Sequence, residues 1–122
     1  MNMIYENIIS HIEKDNIKTI IINKKKDELL GFDYNENTLD ITKDKRIKFP
    51  KMMIMKIKPN SIAEKNNIRI GSNIIKINDI DVSPENYKEL ISQKKIIITV
   101  NESYCMIYQL LLREGIRFNF NY

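Results

Sequence analysis

The chain has 122 residues, with 20 Lys and Arg against 16 Asp and Glu and a formal net charge of +4. That length suits one domain with its own hydrophobic core, and the single cysteine, Cys105, excludes an intrachain disulfide. No basic-then-apolar leader is visible and no apolar stretch approaches the length of a membrane span, so we expect a soluble, cytoplasmic protein. The basic residues are mostly Lys and are interspersed with acidic ones, which indicates a solvated surface rather than one that binds nucleic acid.

The N-terminal segment predicts an amphipathic helix over Asn2–Asn16. Ile4, Ile8 and Ile12 share one face at a spacing of four residues, and charged side chains can face water. His11, the only histidine, lies in this segment without a second ligand candidate nearby, so we predict a partly exposed helix residue and no metal site.

The middle of the chain alternates between short strands, turns and short helices. Apolar and β-branched runs predict strands at Ile17–Asn23, Phe32–Tyr34, Leu39–Ile41, Met52–Ile57, Ile74–Ile77 and Ile96–Val100. Turns are predicted at Gly71-Ser72 and Asn78-Asp79. Thr42–Pro50 is predicted to be a polar, Lys-rich loop.

Two short helices are predicted between these strands. One covers Ile62–Asn66, with either residue of Asn60-Ser61 as its cap. The other opens at Ser83-Pro84-Glu85, where a capping residue is followed by a first-position proline, and it runs through Tyr87 and Ile91.

The C-terminal segment predicts a fourth helix and a final strand. Asn101 or Ser103 caps a helix that runs to Glu114, with Gly115 at its end. One face of this helix is formed by Tyr104, Ile107, Tyr108 and Leu111. A helix this apolar is rarely left in water, and the alternation of Ile116–Phe120 predicts a half-buried strand after it.

The order of these elements resembles that of a PDZ domain, and two stretches carry the resemblance. Leu29-Leu30-Gly31-Phe32 is similar to the Gly-Leu-Gly-Phe carboxylate loop of the family. Residues 58–82 resemble its Pro-Gly-Ser-Pro-Ala-Glu-Lys-Ala-Gly-Leu…Gly-Asp-x-Ile-x-x-Ile-Asn-Gly-x-x-Val core, with many spacings held together. The resemblance covers roughly residues 17–100.

The resemblance implies an α+β, mainly β fold: a five- to six-stranded, partly open barrel or sandwich with two helices. Residues 1–16 are then an N-terminal helical extension, residues 17–100 the PDZ-like domain, and residues 101–122 a C-terminal helix and strand packed on the domain. A circularly permuted order, in which Ile116–Phe120 takes the place of the first strand, is left open.

The sequence departs from the family at several turns. Leu29 replaces the first loop glycine, Ser72 replaces an Asp, Asp79 replaces a Gly, and Asn66-Asn67 stands where a glycine ends the helix. Asn and Asp suit turn positions, so these changes leave the fold intact and the class of ligand open.

The resemblance also implies a peptide-binding site. Its residues are Lys25, Leu29, Leu30, Gly31, Phe32, Asp33, Tyr34, Tyr87 and Ile91. Successive backbone N–H groups of the loop would hold a peptide carboxylate, with Gly31 allowing close approach. The edge of the Phe32–Tyr34 strand would then accept the peptide as a further strand.

Side chains around this loop would set the choice of ligand. Leu30 and Phe32 would line a pocket for the last side chain of the peptide, and Tyr87 would face its third-last residue. Lys25 either lies near the carboxylate or is one more solvated lysine. Ile91 either faces the groove or packs in the core.

The implied function is a non-catalytic interaction module that binds the C-terminal end, or an internal extended segment, of a partner protein, without a cofactor. The sequence offers no Ser/His/Asp set, HExxH motif or phosphate loop, so an enzyme is disfavoured. The alternative is an assembly domain with a closed or self-occupied groove, which self-associates through the C-terminal helix or through the tail Phe120-Asn121-Tyr122. The competing interpretation of the tail is a strand in the domain's own sheet.

A KH-like nucleic-acid-binding domain is a further alternative. Ile70–Ile77 resembles the core of such a domain, but the second glycine of the GXXG loop is missing, so the backbone clamp cannot form.

Overall fold

The computed structural model describes residues 15–41 and 47–113 of the chain. The predicted N-terminal helix, apart from its last two residues, lies outside this described part, as do Glu114, Gly115 and the strand predicted at Ile116–Phe120. No helix in the described part is long and apolar enough to cross a membrane.

Short strands dominate the described residues. The strands are β1 Ile17–Asn23, β2 Phe32–Tyr34, β3 Leu39–Asp40, β4 Lys48–Phe49, β5 Ile54–Ile57, β6 Asn73–Ile77, β7 Ile80–Asp81 and β8 Lys95–Asn101. The helices are α1 Ile62–Lys65, α2 Tyr87–Leu90 and α3 Cys105–Arg113.

Three antiparallel sheets form within the described residues. β1, β8, β6 and β7 lie side by side in that order, while β2 pairs with β5 and β3 pairs with β4. The predicted fold class, α+β and mainly β, is confirmed, and the sheets are open rather than closed into a barrel. β1 lies beside β8, with Ile20 opposite Ile98, in the position that the direct strand order gives to the first strand.

Two separate clusters of buried side chains hold these sheets together. The groove core contains the inward residues of β1, β6 and β8 with Leu30, Ile54, Ala63, Tyr87, Leu90 and Ile91. The helix core contains Ile47, Phe49, Met53, Met55, Ile107 and Leu111. The predicted apolar helix α3 therefore buries one face against β4 and β5.

Cys105, at the start of α3, is buried. Its sulfur lies 3.6 Å from the Ser72 hydroxyl, and burial raises the pKa of its thiol. Gly71, with a φ of +95°, lies so close to the helix that a Cβ there would be 2.8 Å from the Cys105 Cα. A glycine at this turn thus allows α3 to pack against the sheet.

The predicted polar loop at Thr42–Pro50 is wrong in its second half. Lys48 and Phe49 form β4, which pairs with Asp40 and Leu39 of β3, and both Ile47 and Phe49 are fully buried. The segment is rich in Lys, so its composition does not indicate that Ile47 and Phe49 are buried in the helix core.

The predicted start of the second short helix is also wrong. Ser83-Pro84-Glu85 belongs to a turn in which the Ser83 carbonyl accepts from the Tyr87 N–H at 3.1 Å, and α2 begins at Tyr87 and has a single turn. The Asn86 side chain accepts from the Ser83 N–H at 2.8 Å, which draws the amide into the turn instead of leaving it to cap the helix. The cap of α1 is confirmed, because the Ser61 hydroxyl accepts from the Glu64 N–H at 3.2 Å.

Candidate peptide-binding site

The segment Lys24–Gly31, here called the carboxylate loop, is fixed at both ends by backbone hydrogen bonds. The Lys24 N–H donates to the Lys94 carbonyl at 2.7 Å, and the Asp27 N–H donates to the Ser92 carbonyl at 3.1 Å. Ser92 directly follows the last turn of α2, so the loop is tied to the segment between α2 and β8.

The end of the carboxylate loop is held by two carbonyl groups. The Leu30 carbonyl accepts from the Ala63 N–H in α1, and the Gly31 carbonyl accepts from the Lys58 N–H, both at 2.9 Å. In a planar trans peptide the N–H points opposite to the C=O of the same unit. The N–H groups of Gly31 and Phe32 therefore point away from α1 and β5.

These outward N–H groups are backbone donors that lie next to each other at the start of β2. Within the described part of the chain, the Gly31 N–H donates to no acceptor, and the Phe32 N–H lies on the side of β2 that β5 does not pair. Successive free N–H groups in a tight turn are a recurring carboxylate-binding arrangement.

Gly31 is required for a reason that the sequence did not reveal. Its φ is +87°, and a Cβ at this position would collide with the Ser61 side chain at the start of α1. The backbone at Gly31 thus lies close to Ser61, the N-cap of α1, and the same lack of a side chain would also let a ligand approach. A branched residue here would disturb α1 as well as the carboxylate loop.

β2 presents one free backbone edge. It pairs only with β5 among the described strands, with Phe32 opposite Ile57 and Asp33 opposite Lys56. Because backbone groups alternate along a strand, Phe32 and Tyr34 direct their N–H and C=O groups to the unpaired side. A shallow depression of about 340 Å³ runs along β2 and is lined by Phe32, Asp33, Tyr34 and Glu36.

Three aromatic rings close the space between β2 and α2. The ring of Tyr87 lies 4.8 Å from that of Tyr34 and 5.8 Å from that of Phe32, centroid to centroid, and the latter two are 6.5 Å apart. Such distances are typical of stabilising aromatic pairs. We call Phe32, Tyr34 and Tyr87 the aromatic triad.

The aromatic triad is neutral over the ordinary pH range. Burial raises the pKa of the Tyr87 hydroxyl, and the neighbouring Tyr34 adds to the effect. Burial also raises the pKa of Tyr34, with smaller contributions from Glu36 and Glu85. Neither tyrosine supplies a charge for a ligand to recognise.

The other predicted residues fall into a buried and an exposed set. Leu30 and Ile91 belong to the groove core, so Ile91 packs inside the protein and does not line an open groove. Lys25, Leu29 and Asp33 are exposed. Lys25 is held by its backbone N–H, which donates to the Glu28 carboxylate at 3.0 Å, while its ammonium group faces solvent.

Sequence reasoning missed three residues that shape this region. Lys58 and Ser61 contact Gly31 directly, and Ser92 anchors Asp27. The signal for the first two was the resemblance of residues 58–82 itself, which places a helix start after the strand. Nothing local to Ser92 indicates its role, because the contact joins segments far apart in sequence.

The described part of the chain contains no cluster of three or more His, Cys, Asp or Glu side chains arranged to hold a metal ion. A pocket of about 580 Å³ lies elsewhere, between the residues before β1 and the outer face of α3. Arg69, Glu102 and Arg113 are among its lining residues, and the predicted peptide-binding residues are not.

No family model and no curated protein matches the chain. Among solved structures, the chain is similar to one described as "Structure of the dmPar3 PDZ1 domain in complex with the dmPar6 PBM", with 17% identity, 68% of this chain and 91% of that chain covered, and a TM-score of 0.49. At this similarity, nothing about ligand or partner passes from that domain to this chain.

Proposed function

We propose that this chain is a non-catalytic interaction module that binds an extended peptide by strand addition to β2, with the peptide carboxylate held by the carboxylate loop. The observation that carries the proposal is the orientation of the Gly31 and Phe32 N–H groups. Both point outward because the preceding carbonyls are held by Ala63 and Lys58. They lie where the free edge of β2 begins, so one peptide can use both features.

The strand edge supports the same proposal. Phe32 and Tyr34 offer N–H and C=O groups at alternate positions, which an antiparallel or parallel peptide strand can pair. The exposed ammonium group of Lys25 adds positive charge to the same loop. An exposed charge of this kind contributes little affinity, about 0.2–1 kcal/mol, and mainly favours an acidic peptide end.

The sharpest test alters the ligand and leaves the protein unchanged. Peptides selected from a library with free C-termini are compared with the same peptides amidated at the C-terminus, by calorimetry on the full chain. We expect amidation to weaken binding by about 10-fold or more, because charge-assisted hydrogen bonds contribute about 1.5–3 kcal/mol. Equal affinities for the two forms would show that the peptide carboxylate does not contribute to binding.

A matched pair of variants tests the role of Lys25. Lys25→Ala should weaken binding of free-carboxylate peptides by up to about 5-fold, in line with an exposed ion pair. Lys26→Ala, which changes the next exposed lysine, should leave affinity unchanged. An equal effect of the two variants would show a general charge effect without a specific position.

A second candidate function rests on the aromatic triad. Tyr87 is buried against Phe32 and Tyr34, so the groove is occupied by the chain's own side chains. This favours the alternative of an assembly domain with a self-occupied groove. If the wild type binds no library peptide and Tyr87→Ala does, the groove is closed in the resting protein and the assembly function takes precedence.

A further inference from the structure

β1 is an edge strand of the described sheet, and its outer side pairs with no other described strand. Its only neighbour in the described sheet is β8. β1 pairs with β8 without a register shift. A backbone hydrogen bond lies at each end of this pairing: the Lys24 N–H donates to the Lys94 carbonyl, and the Glu102 N–H donates to the Asn16 carbonyl. Even-numbered residues therefore bond to β8, and the N–H and C=O groups of Ile17, Thr19, Ile21 and Asn23 point outward.

The same residues present an apolar face. Ile17 is 53% exposed and Ile21 is 58% exposed, and Ile97 of β8 lies directly beside Ile21 on that face. Natural edge strands are usually protected by charges, prolines or bulges, but β1 has none of these at its outward positions. The one charged residue of β1, Lys18, has its ammonium group 3.9 Å from the Glu102 carboxylate, which offsets its charge.

We propose that β1 is an interface for a second copy of this chain, joined as an antiparallel strand pair about a two-fold axis at Thr19. In this register Ile17 of one copy faces Ile21 of the other, twice by symmetry, and Thr19 faces itself. The outward N–H and C=O groups of all three residues then form reciprocal hydrogen bonds. The two sheets become one continuous sheet across the axis.

The register follows from side-chain matching. An axis at Ile20 would also pair outward-facing residues, but it would set Ile17 against Asn23 and Ile21 against Thr19. Only the axis at Thr19 places both exposed isoleucines against isoleucine, the pairing that buries most apolar area. In this register the outward side of β1 is therefore complementary to itself.

The charge and size of the edge define the expected strength of the dimer. The chain carries a net charge of +4, yet the outward residues of β1 are all uncharged, so they add no like-charge repulsion between two copies. One strand pair buries less than the roughly 800 Å² per partner of a stable interface. The dimer is therefore weak and concentration-dependent, with a dissociation constant on the order of 100 μM.

Sedimentation equilibrium of the full chain between about 10 μM and 1 mM tests the proposal with two matched variants. Ile21→Lys places a charge at the proposed interface, whereas Ile80→Lys changes an isoleucine of similar exposure, 50%, in β7 at the opposite edge of the same sheet. We expect the wild type and Ile80→Lys to dimerise alike, and Ile21→Lys to raise the dissociation constant by about 10-fold or more.

Three results of this comparison would overturn the proposal. These are a wild type that stays monomeric throughout, a dimer that survives Ile21→Lys, and a dimer that both variants abolish. A chain that dimerises only after residues 114–122 are removed would also overturn it, because the chain's own tail would then be the occupant.

Disulfide trapping tests the register independently. Thr19→Cys places two cysteines across the axis at the Cα separation that a disulfide spans, whereas Asn23→Cys places them far from each other, since Asn23 faces Asp15 of the other copy. Under mild oxidation Thr19→Cys should give a covalent dimer and Asn23→Cys should not. A stronger dimer band from Asn23→Cys would overturn the axis at Thr19.

Discussion

The groove core and the helix core differ in how they are built. The groove core draws on long strands such as β1 and β8, whose β-branched residues alternate inward along the chain. The helix core draws on fragments: two residues of a Lys-rich segment, one face of β5 and one face of α3. The alternation of apolar residues along a strand indicates from the local sequence which residues are buried. The burial of the helix-core residues depends instead on contacts between segments far apart in the chain.

β5 joins the two cores. Along the run Met52–Met55, Met52 and Ile54 enter the groove core, while Met53 and Met55 enter the helix core. Successive side chains of a strand point to opposite faces, so a continuous apolar run is what a strand buried on both sides requires. α3 is therefore part of the same folding unit as the proposed binding site.

The largest expected effect comes from the helix core. Phe49→Ala removes a fully buried ring and should lower the free energy of unfolding by about 3–5 kcal/mol. Lys48→Ala, one residue away, removes only an exposed ion pair to Asp40 at 3.6 Å and should cost less than about 1 kcal/mol. Urea unfolding measures both. A loss below about 1 kcal/mol for Phe49→Ala would mean that the helix core does not stabilise the fold.

The second prediction compares the glycine at each core. Gly31→Ala and Gly71→Ala should each lower stability by about 1–3 kcal/mol, because both glycines have positive φ and both lie against a neighbouring helix.

The two glycine variants should differ in whether they can be rescued. Ser61→Gly removes the side chain that a Cβ on Gly31 would strike, so it should restore part of the loss in Gly31→Ala. Gly71→Ala clashes with the Cα of Cys105, which no side-chain change can remove. A double-mutant cycle with no coupling between positions 31 and 61 would contradict the contact.

The smallest effect concerns pH. Burial raises the pKa of Tyr87 in the groove core and of the half-buried Tyr104 in the helix core. Above about pH 10 a tyrosine in the unfolded chain loses its proton while the buried one keeps it, so stability is fully present below that pH and falls above it.

Phenylalanine variants separate the two tyrosines. Tyr87→Phe should remove more of the alkaline loss of stability than Tyr104→Phe, because Tyr87 is the more deeply buried. Thermal unfolding between pH 8 and about pH 11 gives the comparison. The reverse order would place the more deeply buried hydroxyl in the helix core.

The sequence predicted most strands because their apolar residues are locally periodic. It missed the burial of Ile47 and Phe49 because the residues that cover them, Ile107 and Leu111, lie far along the chain. No local pattern distinguishes two apolar residues among lysines in a loop from the same residues in a core.

The candidate site was predictable to a similar extent. The loop motif placed Gly31 and Phe32 correctly at the start of a strand. Tyr87 lies over β2 and Ile91 is buried because α2 has a single turn with a particular rotation about its axis. Residue spacing does not predict the length or the rotation of so short a helix.

The hydrogen bond from the Asp27 N–H to the Ser92 carbonyl ties the carboxylate loop to the segment that follows α2. Its length influences where the N–H groups of Gly31 and Phe32, proposed to hold the carboxylate, stand relative to the edge of β2 that β5 does not pair. One residue inserted between Ser92 and Lys94 would move those amides along the strand without altering a single side chain that faces a ligand. In the proposed function, the spacing between the end of a peptide and the side chains preceding it is thus adjusted from a segment outside the proposed site.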